Sequence, residues 1–317
     1  PITFIALAVA PILPGCVVLI STTRTRARLD RTSASLCPAI APSLLVSFAA
    51  FLSWSDIMQP VLNVAIEAAH AAANIVRRQM QHVDAVPFER KARHDYVTEV
   101  DKACEDEIVR QIQRFYPDHA FLAEESGEQG ESHAVWVIDP IDGTSNYMRG
   151  IPHFAISIAQ KINGRTEHGV VYDVTRDEMF TASRGSGAFL NQKRIRTSSR
   201  TSLEEAVVAT AFPFRRREKL QAYARLFQAV FSKTEDFRRA GAASLDLAWV
   251  AAGRLDAYYE IGLDAWDVAA GALLVREAGG VVLDFEGNDS VEESGTIVAA
   301  PYKLMTSLQQ IISKTWK

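Results

Sequence analysis

The chain has few cysteines, no strong excess of charge of either sign, and no internal repeat or low-complexity run. Only three cysteines occur in 317 residues, Cys16, Cys37 and Cys104, and the first two lie within residues 1–57. A single thiol in the long remainder excludes an internal disulfide framework and a cysteine-rich zinc site there. Cys104 stands within a helical pattern, which marks a packed core thiol rather than a nucleophile. This cysteine usage fits a reducing, cytoplasmic setting. The net charge is −4; residues 1–57 carry four arginines against two aspartates, a net +2, so the remainder carries −6. A mildly acidic body excludes strong direct nucleic-acid binding as the expected role.

With 48% hydrophobic and 23% charged residues the composition is that of a soluble globular protein. The length allows one large α/β domain or two smaller ones. Residues 1–57 stand apart. PITFIALAVAPILPGCVVLI approaches the roughly 20 apolar residues of a membrane span, yet Pro11, Pro14 and Gly15 interrupt it and no basic residues precede it. Two alternatives are a membrane anchor and an upstream extension outside the fold, with Met58 as the start. The second is the expectation: an atypical extension over 1–57, a catalytic domain over 58–317, and no membrane association unless the extension is real.

From Pro60 the patterning becomes regular. Leu62, Ala65, Ile66, Ala69, Ala73 and Val76 recur at helical spacing behind a proline suited to a helix start. After a linker containing Pro87, Thr98 or Asp101 caps a helix whose apolar side is Cys104, Ile108, Ile112 and Phe115. AFLAEES reads as a short strand ending in Glu124 and Glu125. HFAISIAQKING and EHGVVYDV read as strands joined by an Asn163-Gly164 hairpin turn. Further strands are expected at MFTASRG, GAFLNQKRI, AVVAT, DAYYEIG and GGVVLDF. Helices are expected at Lys219–Phe231, Ala243–Ala252, Trp266–Ala278 and Lys303–Ile312. Helices first, then a strand-rich half, then alternation: this order indicates an α+β fold in layers, with two halves sharing a cleft.

The chemistry centres on WVIDPIDGTSNYMRG, from Trp136 to Gly150. An apolar run ends in Asp139 and Asp142, and Gly143, Thr144, Ser145 and Asn146 follow as a turn into a helix. Such a stretch can hold cations and cradle a phosphate side by side. Glu124 and Glu125 end another strand, and Asp267 opens the apolar helix after Trp266. Taken alone, Asp267 is a helix cap and Asp142 a turn residue. Together these acids repel one another unless cations bind between them. Oxygen donors without histidine or thiol select Mg²⁺ or a similar ion, and two such ions would clamp an attacking water and a leaving oxygen. Backbone N–H groups at Gly143 and Thr144 would meet a phosphate, Thr144 and Thr98 supply hydroxyls, and Asp101 could take a proton from the water. Metal-assisted phosphate-ester hydrolysis is the chemistry these residues indicate. A nucleophilic aspartate of the haloacid-dehalogenase type is disfavoured, because its D-x-D-G-T motif has one residue between the aspartates and this chain has two, Pro140 and Ile141.

The stretch WVIDPIDGTSNYMRGIPHFAISIA, with DYVTEVD and AEES upstream and WDVAAGALLVREAGG downstream, resembles the inositol monophosphatase family, and its bacterial SuhB-type branch in particular. The similarity runs from Met58 to the C-terminus. It implies the fold of the lithium-sensitive, Mg²⁺-dependent sugar-phosphatase superfamily, a layered α/β/α/β/α sandwich. It also implies two to three Mg²⁺ ions per site. Glu124, Asp139 and the Ile141 carbonyl would hold the first, and Asp139, Asp142 and Asp267 the second, with Glu124 helping a weaker third. By the same resemblance Asp101 and Thr144 orient and activate the water, and Gly143 and Thr144 bind phosphate. Asp142, the backbone at Ala243, Glu260 and Asp267 meet the inositol ring. Lys91 falls near a lysine that screens the phosphate, and Glu125 supports its neighbour. The implied activity is hydrolysis of myo-inositol monophosphate or a related polyol phosphate by a homodimer. The alternative is an accessory role in transcription antitermination and ribosomal RNA synthesis through protein partners. Basic clusters at Arg215–Arg217 and Arg238–Arg239 could serve such contacts, or be no more than exposed surface charge.

Overall fold

The computed structural model describes residues 60–80, 88–92 and 95–316, with the backbone alone described in 88–92 and 95–98. The proposed extension over 1–57, its anchor alternative and the start at Met58 lie outside the described residues. Helix α1 (Pro60–Met80) begins at Pro60 and buries Leu62, Ala65, Ala69, Ala73 and Val76. Strands β1 (Phe88–Ala92) and β2 (Asp95–Thr98) follow as an antiparallel ribbon, then α2 (Glu99–Gln113), β3 (Ala120–Ala123), β4 (Gly127–Gln129) and β5 (Ala134–Asp142). A short helix α3 (Thr144–Tyr147) leads into the antiparallel run β6 (Ala155–Ile162), β7 (Arg165–Asp173), β8 (Glu178–Ser183), β9 (Gly187–Leu190) and β10 (Lys193–Arg194). The last part comprises β11 (Val207–Thr210), α4 (Leu220–Phe231), β12 (Asp236–Arg238), α5 (Ala243–Ala251) and β13 (Ala257–Ile261). It continues with α6 (Ala265–Glu277), β14 (Gly280–Leu283), α7 (Val291–Ser294), β15 (Thr296–Pro301) and α8 (Tyr302–Thr315).

Two main sheets result. An eight-stranded sheet runs β10-β9-β8-β7-β6-β5-β3-β4, and a five-stranded sheet runs β12-β11-β13-β15-β14. Most neighbours in the larger sheet are antiparallel hairpins, which need only short turns. The β6–β7 turn places Asn163 at φ 49° and Gly164 at φ 79°, left-handed values that these two residues tolerate. In the smaller sheet β11 runs parallel to both β12 and β13, while β15 is antiparallel to β13 and β14.

Side-chain alternation along the strands builds five layers. On the larger sheet Ile156, Ile158, Val170 and Tyr172 point to a core shared with α1 and α2, while Ala155, Ala159 and Val171 point the other way. That second face packs on α5 and α6, which pack in turn on Ala209, Tyr258 and Ala299 of the smaller sheet. The far face of the smaller sheet, including Val208, Tyr259 and Val298, meets α4 and α8. Strands that are apolar on both faces are buried on both faces, and the fold is an α+β sandwich in the order α/β/α/β/α. Cys104 is buried in the outer core with its thiol toward the Ala72 carbonyl at 3.6 Å, and burial pushes the thiol pKa up. Among the described residues no helix is long and apolar enough to cross a membrane.

Three expectations change. The segment after Pro87 is a strand ribbon rather than a simple linker. Phe115 does not continue the apolar face of α2; the helix ends at Gln113 and Phe115 is exposed. Asp101 lies inside the first turn of α2, so it is not the residue preceding the helix.

Candidate active site

Two aspartates three positions apart on a regular strand point to opposite faces. In β5 they do not. Asp139 stands opposite Ser157 of β6 and Asp142 opposite Ala155, so the Pro140-Ile141 step inserts one extra residue into β5. This bulge restores a common side, where a proline with no N–H to offer is tolerated. Carboxylate oxygens of Asp139, Asp142 and Asp267, all buried, lie within 4.8 Å of one another. Asp267 arrives from the first turn of α6, where its Oδ2 accepts the Asp264 N–H at 2.7 Å. It is therefore both a helix-terminal acceptor and a member of the cluster.

Burial raises the pKa of Asp139 well above the usual carboxylate range, and Glu124, Asp142, Asp267 and Asp101 add to the effect. Asp267 is also held high, by burial first, with the Arg215 guanidinium opposing. Asp142 is raised by burial, against two donors from Ser244, whose N–H and Oγ–H reach Asp142 Oδ2 at 2.7 and 2.6 Å. A set of crowded carboxylates with oxygen donors alone is suited to a hard divalent cation, which would relieve their repulsion. The donor set therefore fits Mg²⁺.

Beside the acids, Gly143 adopts φ 94° and begins the turn into α3. A Cβ there would stand 3.1 Å from the His153 carbonyl, 3.2 Å from Phe154 Cβ and 3.3 Å from Ala242 Cβ, so glycine satisfies both the backbone and the space. Bonds within this turn begin with Asn146 and Tyr147 donating to the Gly143 carbonyl. The peptide N–H groups of Gly143 and Thr144 thus have no acceptor inside the helix and border the cleft. Thr144 Oγ1 lies 3.1 Å from Asp101 Oδ1 and 3.0 Å from the Ile141 carbonyl. Asp101 is fully buried beneath it.

The cleft, of about 260 Å³, is lined by Glu124 just past β3, by Asp139, Ile141 and Asp142 of β5, and by Gly143–Asn146 of the turn into α3. Across from them stand Glu260 and Gly262 from the end of β13, with Ala243 and Asp267 from the first turns of α5 and α6. Glu260 accepts from the Tyr258 hydroxyl, and its pKa is pushed up to about 8 by burial, with Asp246 and Asp142 reinforcing it. The structure thus gathers nearly every site residue expected from sequence, with Asp101 just below the lining. Lys91 falls in β1, where only the backbone is described. Glu125 does not line the cleft; its N–H is held by Glu105 Oε2 at 2.8 Å, as the Ser126 N–H is held by Oε1 at 2.9 Å.

Glu105 and Ser244 escaped the sequence reading. The acidic pattern of α2 gave no sign that Glu105 is buried, and Ser244 lies 102 residues from its partner. Ser244→Ala is expected to lower stability by about 1.5 kcal/mol, the scale of a hydrogen bond to a charged group. Urea denaturation of the metal-free protein at neutral pH measures it; an unchanged midpoint would mean the backbone N–H alone holds Asp142.

The profile of the inositol monophosphatase family matches residues 57–317. The Nus factor SuhB of Pseudomonas aeruginosa is 51% identical over 262 residues, covering 80% of this chain and 97% of that protein. The crystal structure of the extragenic suppressor protein SuhB from Bartonella henselae superposes with a TM-score of 0.78 at 40% identity, covering 80% of this chain and 98% of that one. The structure of the inositol monophosphatase from Anabaena (Nostoc) gives a TM-score of 0.73 at 36% identity, over 81% and 96% of the two chains.

Proposed function

Given that the chain belongs to the inositol monophosphatase family, we propose that it is a Mg²⁺-dependent phosphomonoesterase converting myo-inositol monophosphate to inositol and phosphate. One observation carries this reading: three buried carboxylates from β5 and α6 converge within 4.8 Å, in a cleft also lined by the Gly143–Thr144 turn. Residues 58–317 form the catalytic domain in this reading, in the cytoplasm and as a homodimer.

Glu124, Asp139 and the Ile141 carbonyl would hold one Mg²⁺, and Asp139, Asp142 and Asp267 a second, with Glu124 assisting a third. Bound Mg²⁺ supplies Lewis-acid stabilisation of phosphate charge and acidifies water. The chain's own residues do the rest. Gly143 and Thr144 N–H groups bind phosphate oxygens, with Lys91 screening their charge. Thr144 Oγ accepts a proton from the attacking water while its own passes to Asp101, 3.1 Å away. The water oxygen bonds to phosphorus as the ester P–O bond breaks, and the inositol oxygen leaves with a proton from solvent. Glu260, Asp142, Asp267 and the Ala243 backbone meet the ring hydroxyls.

Phosphate release from inositol 1-phosphate is expected with Mg²⁺, to disappear on chelation, and to be inhibited by Li⁺. A purified protein that releases none at saturating Mg²⁺ refutes the reading. The name of the Pseudomonas relative supports a second, compatible role, as an accessory factor in transcription antitermination acting through protein partners. Pull-down with transcription factors, using protein inactivated by Asp142→Asn, separates that role from catalysis.

A further inference from the structure

Asp142 belongs to β5, yet its carboxylate is gripped from the first turn of α5, where the Ser244 N–H and hydroxyl both donate to Oδ2. The seat of that turn therefore decides how Asp142 points. Gly143 is wedged between the His153 carbonyl and Ala242, the residue that begins α5; a Cβ on the glycine would lie 3.1 Å from the first and 3.3 Å from the Cβ of the second. The same His153 carbonyl accepts from Asn146 Nδ2 at 2.7 Å. The Gly143–Thr144 turn, the segment entering β6 and the start of α5 thus meet at one point.

Two buried side chains face each other there. His153 turns Nε2 toward Oδ1 of Asp246, 3.6 Å away in the first turn of α5, and Asp246 is 1% exposed. Neither atom has a hydrogen-bond partner among the described residues. Trp249, one turn further along α5, packs edge-on against the imidazole with ring centroids 5.1 Å apart. Burial raises the Asp246 pKa and the imidazole opposes that shift; it opposes the rise at Asp142 as well. A separation of 3.6 Å is too long for a hydrogen bond, so the pair adds little stability that two apolar side chains could not supply. Away from water, however, the attraction between an imidazole N–H and a carboxylate stays strong at this distance. It joins the segment entering β6 to the helix that carries Ser244, on either side of Asp142.

We propose that His153 and Asp246 are a positioning pair: their buried contact keeps the first turn of α5, and with it Ser244, seated on Asp142, and thereby sets the affinity of the acid cluster for Mg²⁺. The proposal rests on the cation site of the phosphatase reading and adds two residues that touch neither cation nor substrate. The test measures Mg²⁺ binding by isothermal titration calorimetry without substrate, and kcat for inositol 1-phosphate at saturating Mg²⁺. His153→Phe keeps the bulk of the ring against Trp249 and removes its nitrogens. Asp246→Ala removes the acceptor, so either variant decides the question if the other fails to fold. Both are expected to weaken Mg²⁺ binding by about tenfold or more, with kcat at saturation changed by less than about threefold. The double variant is expected to bind no more weakly than the poorer single one, since the two residues act as a unit. His153→Gln, whose amide N–H can take the place of the Nε2–H, is expected to bind Mg²⁺ within about threefold of wild type. Unchanged affinity in either folded single variant, or a glutamine variant as weak as the phenylalanine one, overturns the proposal and leaves the pair a packing element. Wild-type protein that binds Mg²⁺ but releases no phosphate refutes the phosphatase reading alone, because the calorimetry still decides the proposal. Wild-type protein that binds no Mg²⁺ removes both.

Discussion

Asp142→Asn is expected to reduce phosphate release by roughly a thousandfold or more while the protein stays folded. Asp142 borders both the acid cluster and the phosphate turn, so losing its charge weakens cation binding where the reaction takes place. The fold should tolerate the change. Ser244 N–H and Oγ–H both donate to one oxygen of Asp142, and the amide oxygen of asparagine can accept both. Burial already holds Asp142 above the normal carboxylate range, against the Ser244 donors, so a neutral side chain removes an unfavourable charge from the metal-free protein. Its thermal midpoint without metal should equal or exceed that of wild type, and the stabilisation by Mg²⁺ should shrink. More than a tenth of wild-type turnover in the folded variant would mean that this carboxylate is not part of the cation site.

Gly271→Val carries the largest expected effect on stability. Helices α5 and α6 approach closely at this glycine. A Cβ would come 2.6 Å from Leu247 Cβ and 2.7 Å from Leu247 Cδ1, inside the core between the two sheets. Valine is favoured over glycine in a helix by roughly half a kcal/mol. Overpacking a tight core costs about 1–3 kcal/mol, and valine adds two further methyls to the colliding atom, which places the net loss near the upper end. The steric effect wins, and denaturant unfolding should show a loss of about 3 kcal/mol. Because Asp267 sits one turn earlier on α6, any outward shift of the helix also spreads the acid cluster. A variant as stable as wild type would refute the close packing of these helices.

Periodicity revealed the elements whose partners are near in sequence. Pro60, the Asn163-Gly164 turn and the helix carrying Asp267 announce themselves through local chemistry. The ribbon β1–β2 did not, because FERKA and DYVT lack an alternating apolar face. Strand β15 was also missed: TIVAAP is small and apolar, is buried along nearly its whole length, and so shows no alternation. In the site the acids were legible and their supports were not. Asp139 and Asp142 close an apolar run and Asp267 stands at a helix start, places where acids are conspicuous. Ser244 and Glu105 act across the tertiary fold, on partners that no local pattern identifies.

The bulge in β5 also sets a condition on transplanting this chemistry. The string DPIDGT is not portable as text. Grafted onto a flat strand in register with its neighbour, its two carboxylates would emerge on opposite faces, however faithfully the letters were copied. The graft must carry the out-of-step partner as well, the Ala155–Ser157 stretch of β6 that absorbs the extra residue. The smallest transferable unit is therefore a two-stranded piece with a built-in miscount.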